Sequence, residues 1–199
     1  KLDKTDTNYF IHVQKIIEDH AIEASICKVL GSEALAYCVD ECVQIYGGAG
    51  FIEEYPAACV YRDERINRIF EGTNEINRLI ITGTFLKKAI LEELPIRDII
   101  FQRKESIIPE VDQSDVNLQI ESSIIEYCRS LTLLTLDELI NLYGQDLKNK
   151  QWVLEPLSDI IISLAVMHNG YCRYSQLKSG DHKCKTLPVL KVSISEHYD

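Results

Sequence analysis

The chain has 199 residues, 46% hydrophobic and 26% charged, with a formal net charge of −10 at pH 7, so it can bury a core of its own without metals or disulfides. That charge excludes a general role in gripping nucleic acid or an anionic membrane, though not a local basic site for an anionic cofactor. No apolar run reaches the roughly 18 residues of a membrane span, no signal-peptide pattern opens the chain, and a start at Lys1 instead of Met makes a fragment of a longer protein the expectation.

From about Asn8 to Tyr46, apolar residues recur in three- and four-residue steps (Ile16, Ala21, Ala24, Val29, Leu35, Val39, Val43). The spacing predicts one long amphipathic helix, with Gly31 as the candidate break. Gly47-Gly48-Ala49-Gly50 ends it, because glycine accepts the positive φ of a helix stop. Pro56 opens a short helix to about Asp63, and residues 65–70 read as an irregular link. Thr73 is the N-cap of a helix ending near Leu91, with Ile76, Leu79, Ile80, Leu86 and Ile90 on one face. Glu92-Glu93-Leu94-Pro95 is the best internal boundary, giving domains 1–94 and 95–199.

Beyond it, a short helix is expected over Ile96–Glu105, a polar linker over Pro109–Asp115, and a long helix over Val116–Leu142 stopped by Gly144. Another runs over Asn149–Leu177, with Pro156 either starting its regular part or kinking it. A last helix covers Thr186–His197 with Pro188 in its first turn. No strand-like alternation is longer than three or four residues, so the fold class is all-α, with short connections favouring an antiparallel bundle.

Seven cysteines (Cys27, Cys38, Cys42, Cys59, Cys128, Cys172 and Cys184) are odd in number and scattered through apolar helical patterns. They read as reduced, buried thiols in a cytosol-like compartment. Cys38 and Cys42 stand at i, i+4, as two metal ligands on one helix do, but no second Cys/His pair matches them, and no metal is expected. No activating histidine is apparent near any cysteine.

The informative stretch runs from Gln44 to Arg78. Its glycine cluster follows a helix rather than a strand and lacks G-x-G-x-x-G spacing, so it is no dinucleotide fingerprint. Glu71-Gly72-Thr73 sets a carboxylate just before a helix N-terminus. Read locally, Glu71 favours the helix dipole and Thr73 caps it, together worth about 1 kcal/mol.

The same stretch closely resembles the C-terminal signature of acyl-CoA dehydrogenases: Q-x-x-G-G-x-G-(F/Y), then E-Y-P, then R-D, then (F/Y)-E-G-T-x-(E/Q/D)-I-x-R. Every element is present in order between Gln44 and Arg78, and the likeness is dense from about Glu23 to Ala89. Residues after Pro95 resemble, more loosely, the extra helical domain of very-long-chain-type members.

The resemblance implies FAD as cofactor and oxidation of an acyl-CoA thioester to a trans-2-enoyl-CoA in fatty-acid β-oxidation. Glu71 would be the base that takes the α-proton, with its backbone N–H and a cofactor hydroxyl polarising the thioester carbonyl. Gly72 would give the substrate room against the main chain. Gln44, Ile45, Tyr46, Gly47 and Gly48 would meet the FAD of a neighbouring subunit, and Thr73, Asn74 and Glu75 that of their own. A homo-oligomer is therefore expected, with an electron-transfer flavoprotein as acceptor. Such a base needs a dry cavity to raise its pKa.

Isovaleryl-type members carry Gly at the position of Glu71, so its presence here implies straight-chain substrates. Family members add an N-terminal helical domain and a middle β domain, so the isolated chain is expected to be inactive. The resemblance also leaves open a helical protein-interaction or membrane-associating module, and an acyl-CoA oxidase. A bacterial cytoplasmic location is expected, or the mitochondrial matrix if a targeting segment precedes Lys1.

Overall fold

In a computed structural model, the structure describes residues 8–105, 118–177 and 181–198. All regular elements among them are helical, and no strand occurs among them. Two compact units divide at Leu86/Lys87. The Glu92–Pro95 loop is where a helix ends, but packing partners change inside the last turns of the preceding helix, which a sequence break does not register.

The first unit is organised by two helices, α1 (Tyr9–Asp19) and α2 (Ala21–Tyr46). The single helix expected over residues 8–46 is broken at His20, not at Gly31. His20 leaves helical geometry (φ −105°, ψ 14°), and its Nδ1 lies 2.8 Å from the Ile16 carbonyl oxygen, satisfying the end of α1. Gly31 stays within α2, because a helical glycine costs only about 1 kcal/mol against alanine and packing of Ile26, Val29 and Val39 covers that cost.

Gly47, at φ +59°, stops α2, but the following glycines do not form a loop: Gly48–Phe51 makes a one-turn helix, α3. It folds back against α2 and α4 (Pro56–Arg65). Gly50 makes this possible, since a Cβ there would stand 2.5 Å from the Val43 carbonyl oxygen. A 3-10 turn over Ile66–Arg68 leads to α5 (Asn74–Ile90), on which Ile81 and Thr82 are fully buried. Glu92, at φ +58°, closes α5 as Glu93 N–H donates to the Lys88 carbonyl at 3.0 Å.

In the second unit, α6 (Ile96–Glu105) packs on α7 (Gln119–Tyr143), and Gly144 at φ +52° turns the chain through a 3-10 segment, Gly144–Asn149. Then α8 (Gln151–Gln176) packs against both α7 and α9 (Asp181–Tyr198). Their shared core holds Leu118, Ile125, Met167, Tyr174, Leu190 and Ile194. Pro156 lies inside α8 without ending it. Pro188 is likewise interior, because α9 starts at Asp181, five residues before the expected Thr186. One missing backbone donor is tolerated where Leu190 and Ile194 are buried. The expected linker Pro109–Asp115 and the expected helix start at Val116 lie outside the described residues.

The expectation of buried thiols is corrected. Cys27, Cys38 and Cys59 are exposed, and Cys42, Cys128 and Cys172 half-buried. Apolar residues run all round α2, so periodicity there could not say which side is covered: Val29 and Val39 are, while Cys27 and Cys38 beside them are not. The side chain of Cys184 is outside the described residues.

Candidate functional site

Glu71 follows the 3-10 turn with φ +54° and Gly72 follows with φ +83°. Two consecutive left-handed residues turn the chain sharply before α5. For glutamate this conformation costs about 1–2 kcal/mol, so surrounding contacts must impose it. Glu92 has the other positive φ among described non-glycine residues, and the helix stop explains that one.

The contacts that impose it come from the N-terminal half of α2 and the first turn of α5. Lys28 Nζ donates to the Gly72 carbonyl at 2.8 Å and to Asn74 Oδ1 at 2.6 Å. Asn77 Nδ2 donates to the same Gly72 carbonyl at 2.9 Å. Asn74, only 3% exposed, also bonds to Ser32 Oγ at 2.9 Å and to Glu33 Oε1 at 3.0 Å. Arg78 holds Glu33 through two guanidinium nitrogens, at 2.8 and 3.1 Å, the planar fork that favours bidentate pairing. The buried amides are thus satisfied, as a low-dielectric network demands.

Burial alone would raise the Glu33 carboxyl, but the Arg78 guanidinium and the Asn74 amide outweigh it and hold the group below the usual range. Glu75 is likewise held low, by its own backbone N–H and the Thr73 hydroxyl. Thr73 Oγ1 accepts from Ile76 N–H at 3.3 Å, the expected cap. Glu71 and Gly72 are exposed on this unit, Thr73 half-exposed and Asn74 buried.

Gln44, Ile45, Tyr46, Gly47 and Gly48 are all exposed at the far end of α2. At the helical rise they stand about 16 Å or more along the axis from Glu33. The sequence candidates therefore form two separate groups. A Cβ added at Gly47 or Gly48 would meet nothing within 4 Å, so the backbone there is open to close approach by a ligand. A cleft of about 950 Å³ beside Gly50, Phe51 and Tyr61 is lined by none of the candidate residues.

Lys28, Ser32, Glu33 and Asn77 were not singled out by the sequence. For the three on α2 the signal was polar residues at i, i+4 and i+5, close enough in spacing to share one side of the helix. Among the described residues no group of three or more His, Cys, Asp or Glu is placed to hold a metal ion, and no described helix is long and apolar enough to cross a membrane. One cysteine does have a histidine beside it, contrary to expectation: Cys172 Sγ lies 3.5 Å from His168 Nε2.

A family model for the C-terminal domain of acyl-CoA dehydrogenases matches residues 9–86, ending where the first compact unit ends. A probable acyl-CoA dehydrogenase of Bacillus subtilis (strain 168) is 43% identical over 168 residues, 81% of this chain and 27% of that protein. The very long-chain specific mitochondrial acyl-CoA dehydrogenase of Homo sapiens is 56% identical over 63 residues, 32% of this chain and 10% of that protein. A crystal structure of an acyl-CoA dehydrogenase complexed with FAD from Bacillus anthracis superposes with a TM-score of 0.82 at 38% identity, covering 89% of this chain and 31% of that one. The chain therefore spans less than a third of the length of these relatives.

Proposed function

The chain belongs to the acyl-CoA dehydrogenase family, and from that premise we propose that it is the helical C-terminal part of an FAD-dependent enzyme that oxidises acyl-CoA thioesters to trans-2-enoyl-CoA, with Glu71 as the base. The observation that carries this reading is the clamped left-handed turn at Glu71 and Gly72. A structural cap has no need to hold a glutamate in a costly conformation, whereas a base has to be aimed.

In this reading the Glu71 carboxylate takes the α-proton, and its backbone N–H donates to the thioester carbonyl oxygen, where negative charge develops. Bound FAD would supply the acceptor for the hydride leaving the β-carbon. Gly72 keeps side-chain bulk away from the substrate. Lys28 and Asn77 hold the Gly72 carbonyl so that Glu71 does not swing into water. The walls that dry the carboxylate belong to the N-terminal and middle domains of the whole enzyme, which accounts for Glu71 being exposed on this unit.

Thr73, Asn74 and Glu75 sit at the N-terminus of α5, where backbone donors favour anionic groups, and would serve the cofactor of the same subunit. The open backbone at Gly47 and Gly48, remote from Glu71 along α2, fits contact with the cofactor of a second copy. We accordingly read the enzyme as a homo-oligomer that passes electrons to an electron-transfer flavoprotein. A helical interaction module is the second reading for residues 95–199, favoured by exposed Phe101, Ile120, Leu142 and Trp152.

The test is the full-length Glu71→Gln protein. Substrate-dependent flavin reduction should fall by roughly 10²–10⁴-fold, the usual worth of a general base, with FAD content and assembly unchanged. Reduction at the wild-type rate would end the assignment.

A further inference from the structure

The second unit carries a chain of polar contacts that the dehydrogenase reading does not use. Cys172 and His168 share a face of α8 one turn apart, with Sγ 3.5 Å from Nε2. The other ring nitrogen, Nδ1, faces Arg129 of α7 at 3.1 Å. Glu126 binds Arg129 and also Arg103 of α6, the latter at 3.0 Å. Three helices thus converge on one histidine-cysteine pair.

Arginine has only donors, so Arg129 requires Nδ1 to accept. In a neutral imidazole the proton must then sit on Nε2, pointing at sulfur. Partial covering of an otherwise exposed ring and the Arg129 charge, only partly offset by Glu126, hold His168 below its usual pKa, which favours that neutral form near pH 7. The result is an N–H donor aimed at the position of a thiolate.

We propose that Cys172 is a modification site for soft carbon electrophiles, activated by the Arg129–His168 pair. Its thiol proton leaves to solvent, and the thiolate accepts from His168 Nε2–H. Sulfur then attacks the electrophilic carbon: with a haloacetamide the C–S bond forms as the carbon–halogen bond breaks, and halide departs with the electron pair. No oxidant or cofactor is required.

The test is competitive labelling of the full chain by limiting iodoacetamide, with the rate at each cysteine read by peptide mass spectrometry. Exposure alone ranks Cys27, Cys38 and Cys59 ahead of half-buried Cys172. Activation reverses that order, with Cys172 leading by roughly threefold or more. His168→Ala, at an exposed position, should bring Cys172 back behind the three exposed thiols, and Arg129→Met should slow it as well. A wild-type Cys172 that labels no faster than those three overturns the proposal, as does an unchanged rate in His168→Ala.

Discussion

Lys28 donates to the carbonyl oxygen of Gly72 at 2.8 Å, across 44 residues of sequence. The bond ties the N-terminal half of α2 to a turn whose two residues sit in left-handed backbone, and with Asn77 it gives that carbonyl two donors. Lys28→Met keeps the stem but removes both bonds, to Gly72 and to Asn74. Stability should fall by about 1–3 kcal/mol, read from urea unfolding of the chain. If Glu71 acts as proposed, kcat of the full-length protein should fall more than KM changes, because aiming of that carboxylate, not substrate capture, is lost. A proportional rise in KM at unchanged kcat would place Lys28 in binding instead.

Glu71→Gly should stabilise the chain by roughly 0.5–1 kcal/mol, since glycine adopts φ +54° without the Cβ penalty. The same substitution should abolish the proposed reaction. Thermal unfolding and flavin reduction, measured side by side, test whether stability is sacrificed there for function. A destabilised, fully active variant would contradict both halves.

Two glycines should respond to alanine in opposite directions. At Gly50 the new Cβ meets the Val43 carbonyl at 2.5 Å and the Tyr46 Cβ at 2.9 Å, and overpacking against backbone should cost about 1–3 kcal/mol. Gly83, inside α5 with nothing within 4 Å of its Cβ, should gain about 0.5–1 kcal/mol as alanine. Melting temperatures of the two variants decide the matter.

Acid should loosen the α2–α5 tie. The folded-state pKa of Glu33 lies below its ordinary value, so its contribution is present above the unfolded-state pKa and is lost as pH falls through the depressed folded value. The Glu33 side chain is 42% exposed, which makes the effect small through solvent screening. Glu33→Gln should flatten the decline of stability with acidification below the usual carboxylate range. An identical pH profile would show that the Arg78 pair contributes nothing there.

The chain by itself, mixed with FAD, acyl-CoA and an electron acceptor, should show no turnover, because the exposed Glu71 lacks the enclosing walls that would hold an acyl thioester against it. Clear flavin reduction would refute that dependence on other domains.

Helix class and most helix ends were legible in the residues, because three- and four-residue apolar spacing, Thr73 as a cap and Gly47 and Gly144 as stops are local chemistry. So was the Gln44–Arg78 pattern, since motif spacing is carried by the chain itself. The break at His20 instead of Gly31, the one-turn helix at Gly48–Phe51 and the early start of α9 were not. The short helix depends on what the backbone packs against, and the His20 break on a ring-to-carbonyl contact that no apolar spacing announces. Nor did the sequence show that Lys28, Ser32 and Glu33 would meet Gly72, Asn74 and Arg78, or that Arg129 would reach His168 from another helix. Local propensity acts between near neighbours and can be read from their order. Contacts across 39 to 46 residues exist only once apolar faces have chosen their partners, and that choice is made by tertiary packing.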